Sequence, residues 1–183
     1  MSHLGIMFLE YIKISYVRIL WVFLFACVLF VLLGLLQRKR FIVLKQKGMK
    51  GNLMNIALCL TFAFIFVMTL FGRTPGSFGF HVIPFRSYFI AYNENSTELF
   101  LQCIMNIFMY IPFGFLLPCS FGFFEKTGRV FVATVLYSVC VELIQGIAQI
   151  GYFEVDDTLN NLIGTLLGVL VYKCVVKMKK VTF

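Results

Sequence analysis

Five apolar runs, each long enough to cross a bilayer as a helix, constrain this chain more than any other feature. A hydrocarbon core of about 30 Å is spanned by about 20 predominantly apolar residues. The runs are Ile19 to Leu36, Leu53 to Phe71, Leu99 to Phe121, Val130 to Ile150 and Leu159 to Val176. Pro112 and Pro118 fall in the third, where a membrane helix tolerates them if neighbours satisfy the freed carbonyls. Over 183 residues the chain is 61% hydrophobic and 13% charged. A soluble domain averages roughly 45–50% and about 25%, so a water-soluble globule is excluded. The expected fold class is all-α, a polytopic integral membrane helical bundle of five transmembrane helices.

The net charge is +8, from 16 Lys and Arg against 8 Asp and Glu. The basic residues form short clusters between the runs instead of a continuous stripe, which argues against a nucleic-acid partner. Arg38, Lys39, Arg40, Lys45, Lys47 and Lys50 follow the first run, Lys126 and Arg129 follow the third, and Lys173, Lys177, Lys179 and Lys180 close the chain. The opposite side holds Lys13, Arg18, Arg73 and Arg86, and its Gly151 to Thr158 connection has three acids and no base. Basic residues stay preferentially cytoplasmic. The N-terminus is therefore expected outside and the C-terminus in the cytoplasm, with segments 73–98 and 151–158 facing outward. No small-residue cleavage site follows the first run, so it reads as a retained anchor. Residues 1–50 are expected to form that anchor helix and a basic cytoplasmic connection, and 51–183 a four-helix membrane domain.

Cysteines 27, 59, 103, 119, 140 and 174 lie in or beside apolar stretches without a CxxC pair or a neighbouring His, and read as small buried apolar residues. Two histidines, His3 and His81, are too few for a His-based metal site or a Ser-His-Asp triad. No catalytic residue, metal or cofactor is assigned. The segment from Gly72 to Glu98 carries Phe78, Phe80, Phe85, Tyr88, Phe89 and Tyr92. It reads either as a segment lying at headgroup level or as an extracellular loop with an apolar cap.

Ionisable and amide side chains at membrane depth are costly and need a reason. Glu142, Gln145 and Gln149 share one helix face, as do Asp157, Asn161, Gly164 and Gly168, and Gln102 and Asn106 lie one turn apart. Glu142 is placed about 12 Å below the outer end of its helix. These stripes predict a polar pocket in the outer half of the bilayer. Interhelical hydrogen bonding would also explain Asn106, Gln145 and Asn161, and helix capping one of Asp156 and Asp157. Gly164 and Gly168 read as a close-packing pair. Glu142 would either stay protonated through desolvation or pair with a cation, and Arg73 and Arg86 lie on its side. The candidate ligand-binding set is Glu142, Gln145, Asp156, Asp157, Asn161, Asn106, Arg73 and Arg86.

Three blocks carry a resemblance: Val82-Ile83-Pro84-Phe85; the stretch from Asn106 to Pro118, which includes Tyr110-Ile111-Pro112-Phe113-Gly114; and Glu142-Leu143-Ile144-Gln145 with Phe153-Glu154-Val155-Asp156-Asp157 and Asn161-x-x-Gly164-x-x-x-Gly168. Together, over roughly residues 70 to 175, they resemble the VanZ-like membrane proteins. That family often has an Arg just before the Phe of the acidic block, where this chain reads Ile150-Gly151-Tyr152-Phe153, and usually an Asp where it has Glu154. The resemblance implies a small multi-pass protein of the bacterial plasma membrane. It also implies a link to low-level resistance against teicoplanin-type glycopeptides.

Three function classes follow. The chain could bind or shield an amphiphile at the outer leaflet, either a lipid-linked cell-wall precursor or a lipoglycopeptide. It could be an enzyme on a lipid-linked phosphate, although it lacks a nucleophile or His ligand set. It could be a small transporter or assembly subunit, whose five helices would line a path only as a homo-oligomer. The binding reading uses every feature found; its partners would be membrane lipids and the amphiphile.

Overall fold

The computed structural model describes residues 3–38, 48–70 and 77–181. Among these residues six α-helices and two strands follow one another: α1 (His3–Arg38), α2 (Gly48–Leu70), β1 (Ser77–His81), α3 (Arg86–Asn93), α4 (Thr97–Ser120), α5 (Thr127–Ile147), β2 (Ile150–Glu154) and α6 (Val155–Val181). A single 3-10 turn, Gly122–Glu125, joins α4 to α5. Among the described residues five helical stretches are long and apolar enough to cross a membrane: Val17–Leu36, Gly48–Leu70, Thr97–Ser120, Thr127–Ile147 and Val155–Met178. The expected five-span helical bundle is what the chain forms.

The local signals are legible. Ser96 starts α4 by accepting a hydrogen bond from Leu99 N at 3.3 Å, and Glu98 in the first turn complements the helix dipole. Lipid tails are as apolar as leucine, so helices associate through close packing and interhelical hydrogen bonds. The pair α4 and α6 shows this most clearly. A Cβ on Gly164 would fall 2.1 Å from the Ile107 carbonyl oxygen, and one on Gly114 would fall 2.2 Å from that of Thr165. The two backbones are in direct contact, and Tyr110, Phe113, Leu117 and Val169 fill the core beside them with Leu58, Ile65 and Val130. Thr134 and Thr165 share a hydrogen bond of 2.9 Å, and Tyr137 donates to the Phe62 carbonyl at 2.8 Å. α1 lies against α2, with Ala26 on Cys59 and Ala63 and Phe25 stacked on Phe66.

Hydropathy did not anticipate everything at the end where α2 and α5 finish and α4 and α6 begin. β1 and β2 pair there in parallel, in register from Ser77↔Ile150 to His81↔Glu154, so the 151–158 connection is half strand and half helix. Such pairing joins distant segments and leaves no local periodicity to read. α5 stops at Ile147, and Gln149 sits beyond it in a left-handed conformation (φ 53), exposed and off the Glu142 face. Glu142 is consequently about 7.5 Å from its helix end, shallower than expected. Gln102 is exposed instead of joining Asn106. All six cysteines are free; Cys59, Cys103 and Cys119 are buried as expected, but Cys27, Cys140 and Cys174 face outward from the bundle.

Candidate functional site

The first turn of α6 carries Asp156 and Asp157 on adjacent positions, about 100° apart around the helix, so each faces a different neighbour. Asp156 turns to the strap formed by β1 and α3. Its carboxylate accepts from Phe85 N at 2.5 Å and Ser87 N at 2.7 Å, two donors at the start of α3. Helix starts leave such N–H groups without intrahelical partners, and a carboxylate from a distant helix caps this one. Phe85 is held in the left-handed region (φ 63), a conformation uncommon for a bulky residue.

Glu154 ties the same strap one step earlier. One carboxylate oxygen lies 3.0 Å from His81 Nδ1, and the other accepts from Ser87 Oγ at 3.2 Å. The His81 ring is stacked on Tyr152 with centroids 4.6 Å apart. Glu154 N donates to Glu142 Oε2 at 3.3 Å, linking the strap to α5. Tyr88 donates to Asn160 Oδ1 at 2.6 Å. Burial foremost, then neighbouring Cys103 and Asp156, push the Tyr88 phenol above its ordinary value, which keeps it a neutral donor.

Deeper in the bundle, Asn106 on α4 donates to Asp157 Oδ1 at 2.7 Å, and Asn161 on α6 donates to Ser138 Oγ on α5 at 2.8 Å. Ser138 lies 3.1 Å from Thr158 Oγ1, and Gln145 donates to the Thr69 carbonyl of α2 at 2.9 Å. Four helices therefore meet in one polar layer. Several buried atoms in or beside it, Tyr110 Oη, Gln145 Oε1, Asn160 Nδ2 and Asn161 Oδ1, have no hydrogen-bond partner among the described residues. The Asn106 and Asp157 side chains form one buried unit. Asn106→Leu and Asp157→Leu, each alone, are expected to destabilise the fold more than independent sites would predict from the double variant, with a coupling energy of roughly 0.5–3 kcal/mol in a double-mutant cycle. Additive losses would show that the contact carries no energy of its own.

The structure thus brings Glu142, Gln145, Asp156, Asp157, Asn161 and Asn106 to one end of the bundle, all buried. It does not bring Arg86 to Glu142: at the start of α3 that side chain is half-buried and pairs with no carboxylate among the described residues. Arg73 lies outside the described residues. Sequence reasoning passed over His81, Ser87, Tyr88, Ser138 and Asn160. The one-turn spacing of Asp156 and Asn160, parallel to that of Asp157 and Asn161, was a signal that could have found Asn160.

The carboxylates differ in what they can do. Asp156 is engaged by backbone donors and acts as a clamp. Glu142, 3% exposed, accepts from Glu154 N and also borders an opening of about 180 Å³ walled by Phe80, Leu143, Gly146, Ile147 and Phe153. Among the described residues no three His, Cys, Asp or Glu side chains converge to hold a metal ion.

Comparison with known proteins bears on the same region. The family model described as VanZ/LLP1 matches residues 56–177. "Protein VanZ" of Enterococcus faecium is 35% identical over 80 residues, which is 42% of this chain and 47% of that protein. The chain thus spans about half the length of that curated relative. No solved structure matches the chain.

Proposed function

The chain belongs to the VanZ/LLP1 family, and we propose that it contributes to teicoplanin-type glycopeptide resistance or envelope homeostasis by binding an amphiphile at the outer leaflet of the bacterial plasma membrane. The observation that carries this reading is an apolar opening at the sheet end of the bundle that is lined by Phe80, Phe153 and the buried Glu142. An ionisable residue within a membrane span marks a candidate functional site by default. The Phe80 and Phe153 rings at this opening suit the apolar part of a ligand, and the carboxylate suits an amine or hydroxyl on its headgroup.

Along the strap, Phe80, Phe85, Phe89 and Tyr92 are exposed, the composition of a belt at headgroup level. The concentration of Lys and Arg at the opposite end of the bundle supports an outward-facing sheet end. An amphiphile would then place its tail among lipid chains beside the strap and its polar group at Glu142. The partner is a lipid-linked wall precursor or a lipid-tailed antibiotic; both present a polar head on an apolar anchor.

The test compares the inhibitory concentrations of teicoplanin and vancomycin in a susceptible Gram-positive host. Wild type is expected to protect selectively against the lipid-tailed drug. Glu142→Gln, at matched membrane levels, should lose that protection. A hydrogen bond to a charged group contributes about 1.5–3 kcal/mol, so ligand affinity should fall roughly tenfold or more. Equal protection by both proteins would remove Glu142 from the site, and protection by neither would sink the resistance reading.

A further inference from the structure

On the other side of Tyr88 a second groove, of about 550 Å³, runs along the corner between α3 and α4. Its walls are Tyr88, Tyr92 and Phe100, and its polar groups are Asn95, Ser96 and Thr97. We infer that this groove binds a neutral polyhydroxylated headgroup, a saccharide carried on a membrane amphiphile. The lining is what such a group requires: aromatic faces for its C–H surfaces, and an amide and hydroxyls that both donate and accept for its hydroxyls. None of the lining side chains is charged, and the exposed Glu94 and Glu98 flank the corner in sequence, so an anionic phosphate headgroup would find no cation here and two repelling charges.

The walls are built before any ligand arrives. Tyr88 is held by its 2.6 Å hydrogen bond to Asn160. The turn that presents Asn95, itself left-handed at φ 50, is closed by Glu94 N on the Ile90 carbonyl and Ser96 N on the Ala91 carbonyl, each at 2.9 Å. Ser96 then caps α4, whose membrane-crossing stretch begins at Thr97, so the groove lies where the helix enters the apolar layer.

Tyr88 also walls a narrower slot of about 170 Å³ whose other side is Phe85, Leu159, Asn160 and Ile163. Leu159 and Ile163 are one turn apart on α6, and Leu167 and Leu170 continue outward-facing apolar surface beyond them. A polar, aromatic groove therefore opens past one fixed ring onto an apolar strip within a membrane span. That is the shape of a headgroup with its chain. The inference goes beyond the reading at Glu142 by adding a second, separate headgroup site, and it rests on that reading for which leaflet supplies the ligand.

The test uses the full chain in phosphatidylglycerol nanodiscs and two photoprobes with the same diazirine-bearing dodecyl chain, one a β-glucoside and the other a phosphocholine. Cross-linked peptides are mapped by mass spectrometry. The glucoside is expected to label residues 88–100 and 159–163 about fivefold more than the phosphocholine does. Tyr92→Ala, on a largely exposed ring, and Asn95→Gly, which keeps the positive φ, should each abolish that excess. Equal labelling by both headgroups would reduce the groove to an unselective lipid crevice. Labelling elsewhere, or an excess that survives both substitutions, would overturn the inference as well. Headgroup-selective labelling in a chain that gives no drug protection would fault the resistance reading alone, and protection without groove labelling would fault this inference alone.

Discussion

Gly168→Val is expected to prevent stable assembly of the bundle. A Cβ there falls 2.1 Å from the Ile111 carbonyl oxygen and 2.8 Å from Phe115 N, both backbone atoms of α4 that cannot swing aside as a side chain would. The helices must part along their length, and Gly164, with Ile107 O at 2.1 Å from its own Cβ position, shares the seam. Separation would loosen the packing of Tyr110, Phe113 and Val169 beside it. Overpacking usually costs about 1–3 kcal/mol, and a backbone clash at a two-helix seam should reach or exceed the top of that range. In detergent, the variant should lose its monodisperse fraction or melt far below wild type. Gly34→Val on α1, with nothing within 4 Å, is the control and should behave as wild type does. Equal stability of the two variants would show that α4 and α6 do not meet through these glycines.

Asp156→Ala is expected to release the strap while leaving the bundle folded. The carboxylate satisfies Phe85 N and Ser87 N at 2.5 and 2.7 Å. Each hydrogen bond to a charged group contributes about 1.5–3 kcal/mol, so losing both should raise local opening by roughly two orders of magnitude or more. Hydrogen exchange should accelerate by that factor across residues 77–93 and stay slow in α4 and α6. Asp156→Asn, which keeps one accepting oxygen, should lie between. Unchanged exchange in the alanine variant would mean that β1–β2 pairing and Glu154 hold the strap unaided, and that Asp156 belongs to a different role.

The comparison of sequence with structure divides along the same line. The five spans were legible because hydropathy is a property of each segment alone, and their ends were less so. α6 begins at Val155, four residues before the apolar run at Leu159, because Asp156, Asp157 and Thr158 are helical despite their polarity. Their first-turn position suits the acids to the helix dipole, a local effect that a hydropathy window discards. β1 and β2 were invisible for the opposite reason, since neither five-residue strand carries meaning without its partner. Gly164 and Gly168 were recognisable as a packing pair, but that their partner is the Ile107 to Phe115 stretch of α4 needed coordinates.

The site follows suit. Helical spacing put Asp157 with Asn161 and Glu142 with Gln145 on shared faces; Asp157, Asn161 and Gln145 lie in the polar layer, while Glu142 accepts from the strap at Glu154 N. Asp156 belonged to the candidate set as a ligand-facing acid, yet its partners are main-chain N–H groups, which every residue but proline possesses and no sequence advertises. His81, one of two histidines too few for a metal site or a triad, gains its partner Glu154 only through the pairing of β1 with β2.

By itself, then, the amino-acid order determined the number of spans and which residues would be costly to bury, because transfer from water to lipid is close to a sum over residues. Only the tertiary structure decided what each buried polar group would find there. The contacts that answer that question join Asn106 to Asp157 across 51 positions and Phe85 to Asp156 across 71, and hydrogen bonds depend on distance in space.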